Sequence, residues 1–98
     1  MKLSRIDGRN PSLPLSVELH SDDTLQIEQW LRVLPGQRYV GVAHWQGRKV
    51  LAKLLVGRNS DRHFSREDTG AQMLAGQGLK TPVLLASGFD QGEGGWLL

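Results

Sequence analysis

The chain has 98 residues, 39% hydrophobic and 22% charged, with a formal net charge of +2 and no cysteine. That bounds it to one small domain, or a piece of a larger protein, built around a single modest core. It excludes a disulfide scaffold and a thiolate metal site. An apolar run of roughly eighteen residues and an apolar leader are both missing, so the expected location is the cytoplasm.

Residues 1–14 carry Gly8, Pro11 and Pro14 and little apolar content, and read as a flexible, irregular arm. A domain then occupies 15–98. Residues 16–20 (SVELH) alternate like a short strand, and 21–24 (SDDT) suit a turn or a cap. Residues 25–34 (LQIEQWLRVL) fit two patterns. Leu25, Ile27, Leu31 and Val33 share strand parity, whereas Ile27, Trp30, Leu31 and Leu34 fit a helical stripe. The preferred reading is a short helix near 22–29 passing into a strand at 30–34.

Pro35-Gly36 breaks that pattern. Residues 39–45 (YVGVAHW) and 48–56 are strands joined by the two-residue turn Gln46-Gly47, which reads as a β-hairpin. Asn59, Ser60 and Asp61 cap a helix running to about residue 77, with Gly76, Gly78 and Pro82 as stop signals. Ser65 to Asp68 could instead form a capping box and start the helix later. Residues 83–87 (VLLAS) are a strand, 90–95 (DQGEGG) a turn, and 96–98 (WLL) open a further apolar strand. Three apolar residues at that point suggest that more protein follows Leu98. The fold expected is α+β: an antiparallel sheet of about five strands with one main packed helix.

Charge is unevenly spread. No acid lies between Glu28 and Asp61, a stretch holding Arg32, Arg38, Arg48, Lys49, Lys53 and Arg58. Such a block suits an anionic partner, or is simply a solvated face balanced elsewhere. Within it Lys53 interrupts an apolar strand, on the side shared by Leu51 and Leu55. Fourteen residues on, Glu67 falls inside the helical stripe of Phe64, Ala71, Leu74 and Ala75. An acid on a buried stripe calls for a partner, and Lys53 is the nearest candidate. Each also has a plain reading, Lys53 as an edge-strand gatekeeper and Glu67 as a first-turn acid favoured by the helix dipole. His20, His44 and His63 have no metal-ligand spacing, so no metal site is expected.

The stretches LRVLPGQRYVGVAHWQGRKVLAKL and FSREDTGAQMLAGQGLKTPVLLASG resemble the N-terminal lobe of the bacterial lipopolysaccharide kinase family, Kdo and heptose kinases with a protein-kinase-like fold. The resemblance covers roughly residues 30–98. It rests on the L-P-G-x-R turn, the Ala52-Lys53 strand, the helix glutamate and the G-L-x-T-P link. It implies that Lys53 holds ATP phosphate and Glu67 holds Lys53. It makes Gly36, Gln37, Arg38 and Gly41 the nucleotide loop, and Leu51 a wall of the adenine slot. Two positions depart from the protein-kinase pattern. Arg38 stands at the middle glycine of G-x-G-x-x-G, where its guanidinium could contact phosphate, and Leu51 replaces an alanine.

The implied reaction is phosphoryl transfer from ATP to a sugar hydroxyl of a glycolipid, with Mg²⁺ expected only in the intact protein. The implied location is cytoplasmic, with contact to the inner-membrane surface. No H-R-D catalytic loop or D-F-G metal motif occurs in the 98 residues, so this chain alone is expected to be inactive. Two rivals remain. One is a small basic-sheet module that binds nucleic acid or another polyanion, using Trp30, Trp45 or Trp96 to stack bases, with nucleic acid the less favoured partner. The other is a degenerate kinase-like lobe that serves only as an interaction surface.

Overall fold

Alternating apolar and polar side chains favour strands over much of residues 15–55. The computed structural model describes residues 2–6, 8, 11–19, 23–76, 86–90 and 94–98. Its elements are β1 (Leu15–Glu18), β2 (Thr24–Leu34), β3 (Arg38–Trp45), β4 (Arg48–Leu55), α1 (Ser60–Gly76), β5 (Ser87–Asp90) and β6 (Gly94–Leu97). The strands form one antiparallel sheet in the order β1-β2-β3-β4-β6-β5. This is the expected α+β architecture, with six strands rather than about five.

The helix expected near 22–29 is not there, since Thr24–Leu34 is one continuous strand. Its register explains the misleading pattern. Leu25 and Ile27 face the core, then a bulge between Ile27 and Gln29 lets Trp30 pair with Gly41 on the core face. A second bulge between Trp30 and Arg32 restores the parity, so that Val33 lies opposite Tyr39. Each bulge adds one residue to the strand. The inward set is therefore spaced by three around Trp30 and imitates a helical stripe.

The two bulges seat the indole over a glycine. A Cβ on Gly41 would lie 2.5 Å from the Gln29 carbonyl oxygen and 3.1 Å from the Trp30 ring. Trp30 Nε1 donates to the Pro11 carbonyl at 3.0 Å, and its ring sits 5.5 Å from that of Tyr39.

The described residues of the N-terminal arm are irregular, as expected, but not loose. A 3-10 turn at Leu3–Arg5 carries Leu3 into the core, where it is 2% exposed, and Ile6 follows it. The Tyr39 hydroxyl donates to the Gly8 carbonyl at 2.9 Å, tying the arm to the sheet. Two isolated apolar residues among polar ones carry no period, so sequence pattern alone does not show this docking.

Between β3 and β4 the turn Gln46-Gly47 has φ of 50° and 76° at its two residues. That is the primed geometry that matches strand twist. It fixes the register, with Ala43 opposite Val50 and Val40 opposite Lys53. The helix begins at Ser60, so the start at 59–61 holds and the later start at 65–68 does not. Its first turn is closed by His63 N–H donating to Asn59 O at 3.0 Å. Phe64 packs over Gly95 and stacks on Phe89 at 5.6 Å, which docks α1 mainly on β6. Ala71, Leu74 and Ala75 lie outside the described side chains.

The C-terminal hairpin differs from expectation in two ways. Residues 83–85 lie outside the described residues, and the strand that pairs with β6 is Ser87–Asp90, which starts at the last residue of the expected strand and ends on Asp90, expected in the turn. The strand expected to open at Trp96 starts at Gly94, inside the expected turn. β6 lies between β4 and β5, and Trp96, Leu97 and Leu98 are each about one-twentieth exposed.

Candidate functional site

β4 alternates, so Val50, Ala52 and Leu54 face the core while Leu51, Lys53 and Leu55 face the other way. The hairpin register extends that second face across the sheet. Arg32 lies opposite Val40, and Val40 opposite Lys53; Leu34 lies opposite Arg38, and Arg38 opposite Leu55. The next rows toward the hairpin tip hold Gln29, Val42 and Leu51, then Gln26, His44 and Lys49. Helix α1 covers one end of this face, over Gly95. Away from the helix, Leu34 is 48% and Leu51 42% exposed.

Lys53 and Glu67 meet as the sequence suggests. Lys53 Nζ donates to Glu67 Oε2 at 3.4 Å across the β4–α1 interface. The other carboxylate oxygen is taken as well, because Arg38 Nη2 lies 3.1 Å from Glu67 Oε1. Their side chains are 41%, 26% and 35% exposed for Lys53, Glu67 and Arg38. One carboxylate thus holds two cations at a fixed separation, and the cluster keeps a net positive charge. Each cation has donors to spare, since an ammonium offers three and a guanidinium five. Preset, partly desolvated donors of this kind suit an oxyanion.

The hexapeptide 36–41 is not an open loop. Gly36 lies in the tight turn at φ 73°, and Arg38 already belongs to β3. The Gly36 N–H donates to the Tyr39 hydroxyl at 3.0 Å, and the Gln37 N–H donates to Leu34 O at 3.0 Å. Val56 N–H donates to Gln37 O at 2.9 Å, fastening the turn to the start of the β4–α1 link. Gly57, at φ 83° in that link, sits against the Gly36 carbonyl. Gly41 is the seat of Trp30. The backbone donors of Gly36 and Gln37 are therefore committed inside the protein. Among the residues expected to bind nucleotide, Arg38, Leu51 and Lys53 share the outer face by side chain.

The Arg38–Glu67 contact is a feature of the candidate site that the sequence pattern did not announce. Its signal was present: a two-residue hairpin turn sets residues equidistant from it opposite each other, which puts Arg38 diagonal to Lys53 on one face. The aromatic residues go elsewhere. Tyr39 and Trp96 are buried in the core, and Trp30 and Trp45 pack against it. Trp45 Nε1 donates to Asp23 Oδ2 at 2.8 Å. Among the described residues no three of His, Asp and Glu come together, and no helix is long and apolar enough to cross a membrane. His20 lies outside the described residues. No protein-family model matches this chain, no curated protein matches it, and no solved structure matches it.

Proposed function

We propose that this chain is the nucleotide-binding N-terminal lobe of an ATP-dependent sugar kinase of the lipopolysaccharide kinase type. The observation that carries the reading is the 3.4 Å contact between Lys53 on β4 and Glu67 on α1. Phosphoryl transfer needs charge neutralised at fixed positions more than it needs covalent chemistry. A strand lysine held by a helix carboxylate supplies such a charge. Leu34, Val42 and Leu51 share the sheet face beside it and offer an aliphatic floor for a purine. Mg²⁺ ligands and a catalytic base belong, on this reading, to a second lobe, as does the site for a glycolipid sugar at the membrane surface.

The polyanion-module alternative draws on the same cations. Base stacking on a sheet needs exposed aromatic rings. The tyrosine and tryptophan rings lie in or against the core, and Phe64 and Phe89 stack on each other, which favours a single nucleotide over a polynucleotide strand.

Titration of the ¹⁵N-labelled chain with Mg-ATP tests the reading. The expected result is a millimolar affinity, with the largest amide shifts around Arg38, Leu51 and Lys53 and their loss in Lys53→Ala. Tight binding of single-stranded nucleic acid with a steep salt dependence, and none of ATP, would give the site to the polyanion module instead. Binding of neither leaves only the degenerate interaction lobe.

A further inference from the structure

Arg32 has no role in the kinase reading, yet the sheet places it beside that site. It stands opposite Val40, which stands opposite Lys53, so the two cations flank one valine on the same face. Two strand spacings separate their backbones by about 10 Å. Arg38 is two residues along β3 from Val40, within diagonal reach of both. The three cations therefore surround Val40, while Glu67 engages Arg38 and Lys53 but not Arg32. Arg32 is exposed, and among the described residues it forms no ion pair. The bulge between Trp30 and Arg32 keeps it on this face, because it restores the parity that Trp30 interrupts.

The turn supports the same conclusion. The Gly36 and Gln37 N–H groups are already bonded, so a backbone cradle for phosphate is not on offer there. Recognition of an anion must come from side chains. A single phosphate can engage the Lys53–Arg38 fork. To reach Arg32 as well, the anion has to extend across Val40.

We propose that Arg32 is a third anion-binding residue and that this face selects phosphate chains by length, preferring a triphosphate to a diphosphate and that to a monophosphate. The proposal rests on the nucleotide reading but can fail without it. Arg32 makes charge-assisted hydrogen bonds to the far end of the chain, and the Lys53–Arg38 fork takes the near end.

The test is calorimetric titration of the chain with inorganic triphosphate, pyrophosphate and orthophosphate at constant ionic strength. Four forms are compared: the unaltered protein, Arg32→Gln, Lys53→Gln and Lys49→Gln. Lys49 is an exposed cation on the same face, four residues from Lys53, and controls for general charge. Arg32→Gln is expected to weaken triphosphate about tenfold, leaving orthophosphate within about twofold. Lys49→Gln should leave all three within about twofold. Equal losses in Arg32→Gln and Lys49→Gln would overturn the length-reading role. Triphosphate binding that needs Lys53 but ignores Arg32 would overturn this proposal and leave the nucleotide site standing. No triphosphate binding by the unaltered protein would overturn both.

Discussion

The two faces of this sheet are made by the same strands and follow different rules. On one, Leu25, Ile27, Tyr39, Ala43, Ala52 and Leu54 are fully buried, the N-terminal arm packs over them, and among the described residues no charged side chain intrudes. On the other, Arg38, Val40, Val42, Leu51 and Lys53 stay partly or largely exposed. The first face is closed by shape: a glycine under a tryptophan, a tyrosine hydroxyl on the arm. The second is organised by one carboxylate between two cations. The second buries Leu55 and Leu97 at the helix end, which leaves the rest of it free to carry charge that a core would not tolerate.

A pair of neighbours on β4 offers the largest break in that comparison. Leu54→Ala should destabilise the chain by about 3 kcal/mol and Leu51→Ala by less than about 1 kcal/mol, read from urea unfolding midpoints. Similar losses would mean that the outer face is covered after all. The turn between β2 and β3 comes next. Gly57 is in the left-handed region against the Gly36 carbonyl, so Gly57→Ala should lose about 2 kcal/mol and shift the amides of Gly36 and Gln37. A silent substitution would show that the 35–37 turn is not fastened to the helix link.

The smallest effect sharpens the charged side. Glu67→Gln should cost about 0.5 kcal/mol, because the group is part-exposed and the ion pairs are partly screened. The loss should shrink further in high salt. A loss as large as that of Leu54→Ala would make Glu67 a core element rather than an organiser of the outer face.

How much of this was legible depended on whether a pattern stayed local. The β3–β4 hairpin and the start of α1 could be read because a two-residue turn and a cap are written in adjacent residues. Lys53 and Glu67 could be paired because each violates the apolar rule of its own element. The β2 strand could not, since two bulges turn a period of two into a period near three around Trp30. The docking of Leu3 and Ile6 was hidden because it depends on Tyr39 and the far side of the sheet. In the site, the sequence pointed to Arg38 as a phosphate contact, but not to its hold on Glu67. That hold needs strand register and helix position together.

The strand order also sets a schedule. β4 finds β3 across two turn residues, but its other edge waits for β6, so that Lys53 pairs with Leu97 forty-four positions later. Until then the edge of the lysine strand stands unpaired. On a ribosome the hairpin of β3 and β4 emerges early and must wait while α1 and β5 are made. Contacts this distant in sequence form slowly. An uncovered strand edge is meanwhile open to pairing with another chain. Lys53, a charge in the middle of that edge, guards it during the wait.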